Sequence, residues 1–326
     1  MSENFDPRQI LFPHVMEEIE RAKREGIRFS HYTSADTALK ILRSERMYLR
    51  NSTLMNDFSE VKHGWNCLLA AYNSPLGERL KAVMRRVQPD LPEVLESNFN
   101  DQILHVLSET YLLSVSEHSG DHEDAFGRLS MWRAYAPKDG VAFVLNNHPF
   151  VSESDALNAF TSPVAYALEG DFQPYFAEMV ERIEAAIDDI IPLGGSFVHD
   201  SLMQIFRFAV QSTKHPAFKE EREWRVIYSP TLLAREEKLT DDQMERVPTD
   251  IVSLGGVPQR VYSIMFRDYP EEGLTGATPD NLLNRILIGP SRDSYAIALA
   301  FTEELRRMGV SNPSDRVVIT GIPLRL

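Results

Sequence analysis

Phe218-Lys219-Glu220-Glu221-Arg222-Glu223-Trp224-Arg225-Val226-Ile227-Tyr228 puts three carboxylates into four positions and follows them with an apolar run. Trp224, Val226 and Tyr228 alternate with Arg225 and Ile227, which is the period of a strand. Glu221 and Glu223 lie two apart, and in extended backbone such residues point the same way. A carboxylate pair where a turn hands over to a core strand is well placed for chemistry, because the strand holds its position. The same residues also suit a solvated charged turn before a strand. A second stretch, Phe29-Ser30-His31-Tyr32-Thr33, weighs toward a site.

The 326 residues are 43% hydrophobic and 25% charged, enough for one large or two small cores. Cys67 is the single cysteine, so neither an intrachain disulfide nor a cysteine-rich zinc site is available. No apolar run approaches 18 residues and no basic-then-apolar leader opens the chain, so a cytoplasmic protein with no membrane span is expected. The net charge of −14 opposes general binding to phosphate backbones, but leaves room for a local basic groove or a basic protein partner.

Outward from the opening stretch, helix period marks residues 13–24, with Gly26 as a stop. A strand is expected over 27–33, then a helix over 35–43 capped by Ser34, then a short strand over 47–49. Asn51–Asp57 reads as a turn, with Asn56 and Asp57 building it. Residues 58–112 read as helices broken near 73–75 and 88–92, and 171–190 and 196–212 as two more. Strands are expected at 111–116, 141–145, 165–168, 224–228, 260–266, 284–288 and 316–322, with helices at 126–136 and 295–307. Residues 233–256 read as irregular. The loop 117–124 carries His118, Asp121, His122, Glu123 and Asp124, but without the fixed spacing of a metal motif. Neither a G-x-G-x-x-G fingerprint nor a P-loop is present.

Trp132 and Tyr135 lie three apart on one helix face. They suit either core packing or, with Ser114 and Ser116 at a strand end, the wall of a pocket for a flat ring. Arg225 suits pairing with a glutamate or capping a sheet edge.

His31-Tyr32-Thr33, Asn56-Asp57, Ser114-x-Ser116-Glu117, Met131-Trp132-x-x-Tyr135-Ala136, the Gly140 strand, Lys214, Phe218-x-x-Glu221-x-Glu223-Trp224-Arg225 and Ile288-Gly289-Pro290 resemble, in that order, bacterial domain-of-unknown-function family 2971. The resemblance runs from about 28 to 292 and carries no reaction.

A broader resemblance does carry one. A strand ending His-x-Thr, a capped helix, a short strand and a late E-x-E pair are similar to the mono-ADP-ribosyltransferase fold. That likeness implies an α+β, ADP-ribosyltransferase-like split β-sheet core over 1–326, with helical insertions near 58–110 and 170–212. It implies NAD as substrate, with His31 bonding its ribose and Tyr32 and Thr33 beside it. Glu223 would stabilise the oxocarbenium-like sugar and Glu221 would take a proton from the nucleophile. Ser114, Ser116, Trp132 and Tyr135 compete for the middle position of the site. Lys214 and Arg133 are the candidates, by charge, for the NAD pyrophosphate. The expected activity is transfer of ADP-ribose to a protein or nucleic acid by a bacterial toxin or phage-defence effector, with an antitoxin or regulatory protein as a possible partner. An NAD glycohydrolase and a non-enzymatic binding module on the same fold are the alternatives.

Overall fold

The computed structural model describes residues 6–54, 59–120, 122–235 and 240–323; Asn56, Asp57 and Asp121 lie outside them. The chain is α+β. Its first unit follows the expected local logic. Strand β1, Arg28–Ser34, runs into the helix Ala35–Ser44, and the Ser34 hydroxyl accepts from the Thr37 amide at 3.2 Å. The chain then returns as β2, Arg46–Asn51. Three helices follow, Ser59–Tyr72, Pro75–Val87 and Leu91–Ser108, separated at the two proline-containing breaks.

The remaining strands are β3, Tyr111–His118; β4, Gly140–Leu145; β5, Phe160–Pro163; β6, Ala165–Tyr166; and β7, Thr213–Lys214. They continue with β8, Glu223–Tyr228; β9, Thr249–Leu254; β10, Val257–Met265; β11, Leu283–Ile288; and β12, Val317–Ile319. Among the described residues, all but β6 and β7 join one mixed sheet in the order β12-β11-β4-β1-β3-β2-β10-β9, with β8 and β5 branching from β3.

The branch at β3 positions the site. One edge of β3 pairs with β8 from Tyr111 to Ser116. The other edge is divided: β1 takes its C-terminal end, from Ser116 to His118, and β2 takes Tyr111 and Leu112. Between those two registers the sheet splits, and a cleft opens along Leu113–Val115.

The two faces of the sheet differ in chemistry. Tyr111, Leu113 and Val115 of β3 and Trp224, Val226 and Tyr228 of β8 join Phe29, Leu42, Leu49, Phe143 and Phe301 in one apolar core. The alternate residues Ser114, Ser116, Glu223 and Arg225 line the cleft. The two expected helical insertions pack on each other: Leu80, Met84 and Leu95 share a second core with Phe176, Ile183, Leu202 and Phe206.

Several boundaries differ from expectation. The helix over 126–136 is two, His122–Phe126 and Leu129–Tyr135, broken at Gly127 with φ +63°. Glu117 and His118, expected in a loop, continue β3 because β1 pairs with them. The strand at 165–168 shrinks to β6. The stretch 233–256 contains the helix Asp241–Arg246 and β9. β9 is an exposed edge strand whose hairpin turns through Gly255 and Gly256, both at positive φ, so no buried face leaves an apolar alternation to read.

Candidate functional site

The short helical turn Pro216–Glu221 ends at Arg222, a non-glycine residue in the left-handed region with φ 44°. The reversal there, rather than extended backbone, brings Glu221 and Glu223 to one partner. Lys214 Nζ lies 2.7 Å from Glu221 Oε2 and 3.0 Å from Glu223 Oε2. A third carboxylate joins from the helix Ser59–Tyr72, with Glu60 Oε1 at 2.9 Å from the same ammonium. Arg225 completes the cluster. Its Nε donates to Glu223 Oε1 at 2.8 Å, its Nη1 to the Gln211 carbonyl at 2.6 Å, and its Nη2 to Glu60.

Ser114 Oγ donates to Glu223 Oε1 at 2.6 Å and Tyr135 Oη donates to Glu221 Oε1 at 2.7 Å. The Glu223 amide donates to Tyr166 Oη at 2.8 Å. Burial opposes the charge of Glu223, but Arg225, Lys214 and the Ser114 hydroxyl outweigh it and hold its pKa down to about 2. Burial likewise opposes the charge on Lys214, and Glu223, Glu60 and Glu221 push its pKa up instead. Three carboxylates against two cations leave one formal negative charge at this end of the cleft.

His31 stands at the split of the sheet, with Nδ1 3.1 Å from the Ser114 carbonyl oxygen. A carbonyl only accepts, so Nδ1 carries the proton and Nε2 keeps its lone pair. Burial pushes the imidazole below its usual range, against a smaller upward pull from the Ser114 carbonyl. His31 and the carboxylate cluster line one cleft of about 830 Å³, the size of a small-molecule site. Ser114 bridges them, accepting from one and donating to the other.

The other expected residues divide. Tyr135, Lys214, Ser114, Ser116, Tyr32 and Thr33 line the cleft. The Tyr32 hydroxyl accepts the Arg128 amide at 2.9 Å, and Ser116 Oγ donates to the Glu221 carbonyl while accepting from Arg128, so both hold the scaffold. Trp132 does not wall the cleft. It is buried edge-on to Tyr32, donates from Nε1 to the Phe126 carbonyl at 2.8 Å, and lies over Gly289, where a Cβ would stand 2.7 Å from its ring. Arg133 is exposed and does not line the cleft. Lys214 is in place, but its ammonium is taken up by three carboxylates and is no free phosphate ligand.

The acidic 117–124 stretch is engaged elsewhere. His118 Nε2 meets Asp124 Oδ1 at 2.9 Å, Asp124 pairs with Arg28, and Glu123 with Arg222. Glu60 and Arg128 also belong to the site, and neither was expected from the sequence. Nothing local marks either, since Glu60 is one acidic residue in the first turn of a long helix. The i,i+2 spacing of Glu223 and Arg225 did carry the signal of a same-face pair.

These features define an α+β protein with a charged cleft at a split sheet. Residues 131–226 match the family model described as "Protein of unknown function (DUF2971)". The match includes Tyr135, Lys214 and Glu221 to Arg225 and leaves His31, Glu60 and Ser114 upstream, a shorter span than the sequence suggested. No curated protein and no solved structure matches the chain. Among the described residues, no helix is long and apolar enough to cross a membrane.

Proposed function

We propose that the cleft binds NAD and that the protein transfers ADP-ribose from it to a macromolecular acceptor, on an ADP-ribosyltransferase-like fold. The observation that supports this reading is the placement of His31 and the Glu221–Glu223 pair on one open cleft at the split of the sheet, joined through Ser114.

In this reaction the bond between nicotinamide and ribose C1′ breaks and nicotinamide leaves with the electron pair. The acceptor nucleophile bonds to C1′ and gives up its proton. Positive charge develops on the sugar, and the excess negative charge of the cluster stabilises it more in the transition state than in the ground state. The His31 Nε2 lone pair accepts from a ribose hydroxyl.

The accessibility of the two glutamates shifts the roles expected of them. The Glu223 side chain is 6% exposed and saturated by Ser114, Lys214 and Arg225, whereas Glu221 is 17% exposed. Glu221 is therefore assigned to face the ribose and receive the proton, and Glu223 is a positioning residue that orders both cations. Such a transferase suits a toxin or phage-defence effector under the control of a regulatory protein.

The test is NAD labelled in its adenylate phosphate, incubated with the protein and cell lysate, beside Glu221→Gln. Label in protein or nucleic acid that the variant loses supports the reading. Free ADP-ribose with no labelled macromolecule turns it into an NAD glycohydrolase. Absence of both NAD consumption and NAD binding overturns it.

A further inference from the structure

The cleft is also lined by cations of β2 and of the helix Ala35–Ser44, Lys40, Arg43, Arg46 and Arg50, whereas the carboxylate cluster pairs with Lys214 and Arg225. Arg46, Tyr48 and Arg50 alternate along β2 with Met47 and Leu49, which belong to the core, so the first three present themselves to the cleft. The four cations are not equivalent. Lys40 is paired with Asp36 at 2.7 Å and Arg43 with Glu304 at 3.2 Å. Arg46 is 3.9 Å from Asp250, and its Nε is buried without a hydrogen-bond partner. Arg50 donates only to neutral acceptors, the Gln259 side-chain oxygen at 3.3 Å and the Leu54 carbonyl at 3.0 Å. Among the described residues it has no carboxylate partner.

Resting on the NAD reading above, we infer that Arg46 and Arg50 form a phosphate subsite that holds the diphosphate of the dinucleotide, with the nicotinamide ribose at the Glu221–Glu223 pair. Burial disfavours the charge on Arg50 and no anion among the described residues offsets it, a cost that a bound phosphate removes. The two arginines are four residues apart on a strand, roughly 13 Å between Cα atoms by strand rise. Their side chains are long enough to close on one anion from both sides. Guanidinium groups match phosphate oxygens two points at a time. The subsite takes over the role that charge alone suggested for Lys214 and Arg133. It also reconciles an anionic ligand with a chain of net charge −14, because the attraction is local to the cleft.

The test is titration calorimetry of the full chain and of Arg46→Gln, Arg50→Gln and Arg50→Lys. The probes are NAD, ADP-ribose, inorganic pyrophosphate and nicotinamide riboside, with thermal melting to verify each fold. Loss of either arginine is expected to weaken NAD and ADP-ribose binding by about tenfold to a hundredfold. Nicotinamide riboside, which has no phosphate, is expected to bind all four proteins alike, and Arg50→Lys to retain part of the affinity. NAD binding that is equally tight in folded Arg46→Gln and Arg50→Gln overturns the subsite and leaves the NAD reading standing. Pyrophosphate bound by the parent protein and lost in those variants, with no NAD or ADP-ribose binding, keeps the subsite and overturns the NAD reading. A parent protein that binds none of the probes overturns both.

Discussion

Glu223 and Arg225, two residues apart on the cleft face of one strand, form a two-point ion pair, with Nε to Oε1 at 2.8 Å and Nη2 to Oε2 at 3.2 Å. The pair is buried, so each member neutralises a charge that the interior would otherwise expel. Removing Arg225 leaves Glu223 with Lys214 as its remaining cation, and removing Glu223 leaves Arg225 with Glu60 as its remaining anion.

Arg225→Met is therefore expected to destabilise the fold by about 3–5 kcal/mol, because Glu223 and Glu60 lose a cation in a buried site. Arg225→Lys is expected to rescue only part of this, since an ammonium cannot span both carboxylates in one plane. Urea unfolding at neutral pH measures both; unchanged midpoints would show that the pair contributes nothing net.

The two glutamates are expected to separate by assay. Glu221→Gln retains the melting temperature within a few degrees but loses nicotinamide release by about a hundredfold, the scale of removing a catalytic carboxylate. Glu223→Gln lowers the melting temperature and the activity together, because it unbalances Lys214 and Arg225. A stable, inactive Glu223→Gln beside an active Glu221→Gln would reverse the assignment.

Stability is expected to fall on acidification in two windows. Burial lowers the folded-state pKa of His31 below its ordinary 6.5, so the unfolded chain binds that proton more readily and stability drops as pH falls past 6.5. The folded-state pKa of Glu223 is about 2 against an ordinary 4.5. Its contribution, roughly 3 kcal/mol, is complete above pH 4.5 and lost as pH approaches 2. Denaturant midpoints measured from pH 7 downward check the sign, and Glu223→Gln flattens the lower window.

Nitrogen-15 spectra of His31 at a pH well above its ordinary 6.5 are expected to show a neutral ring with the proton on Nδ1, as the 3.1 Å contact to the Ser114 carbonyl requires. A proton on Nε2 in the free protein would remove the acceptor that the ribose hydroxyl needs.

Gly289→Ala is expected to cost about 1–3 kcal/mol without touching the cleft, because its Cβ meets the Trp132 ring at 2.7 Å and the ring has no free space to yield. Chemical denaturation beside an NAD titration separates the two effects: the midpoint moves and the affinity does not.

Local chemistry was readable before any fold was known. Ser34 had to cap a helix, the prolines had to break 58–112 into segments, and Trp224-x-Val226-x-Tyr228 had to be one buried face of a strand, because caps, prolines and period act within a few residues. The convergence of Glu221 with Glu223 followed from proximity along the chain, although a left-handed turn at Arg222 achieves it. Tertiary structure alone decided which partners those groups meet. Glu60 arrives from a helix more than 150 residues upstream, and the division of the β3 edge between β1 and β2 creates the cleft where His31 faces them. It also sent Trp132 into the core and Tyr135 to Glu221, although both sit on one short helix. Ion pairs and cavities depend on distances between segments that packing brings together, and no pattern local to either segment encodes those distances.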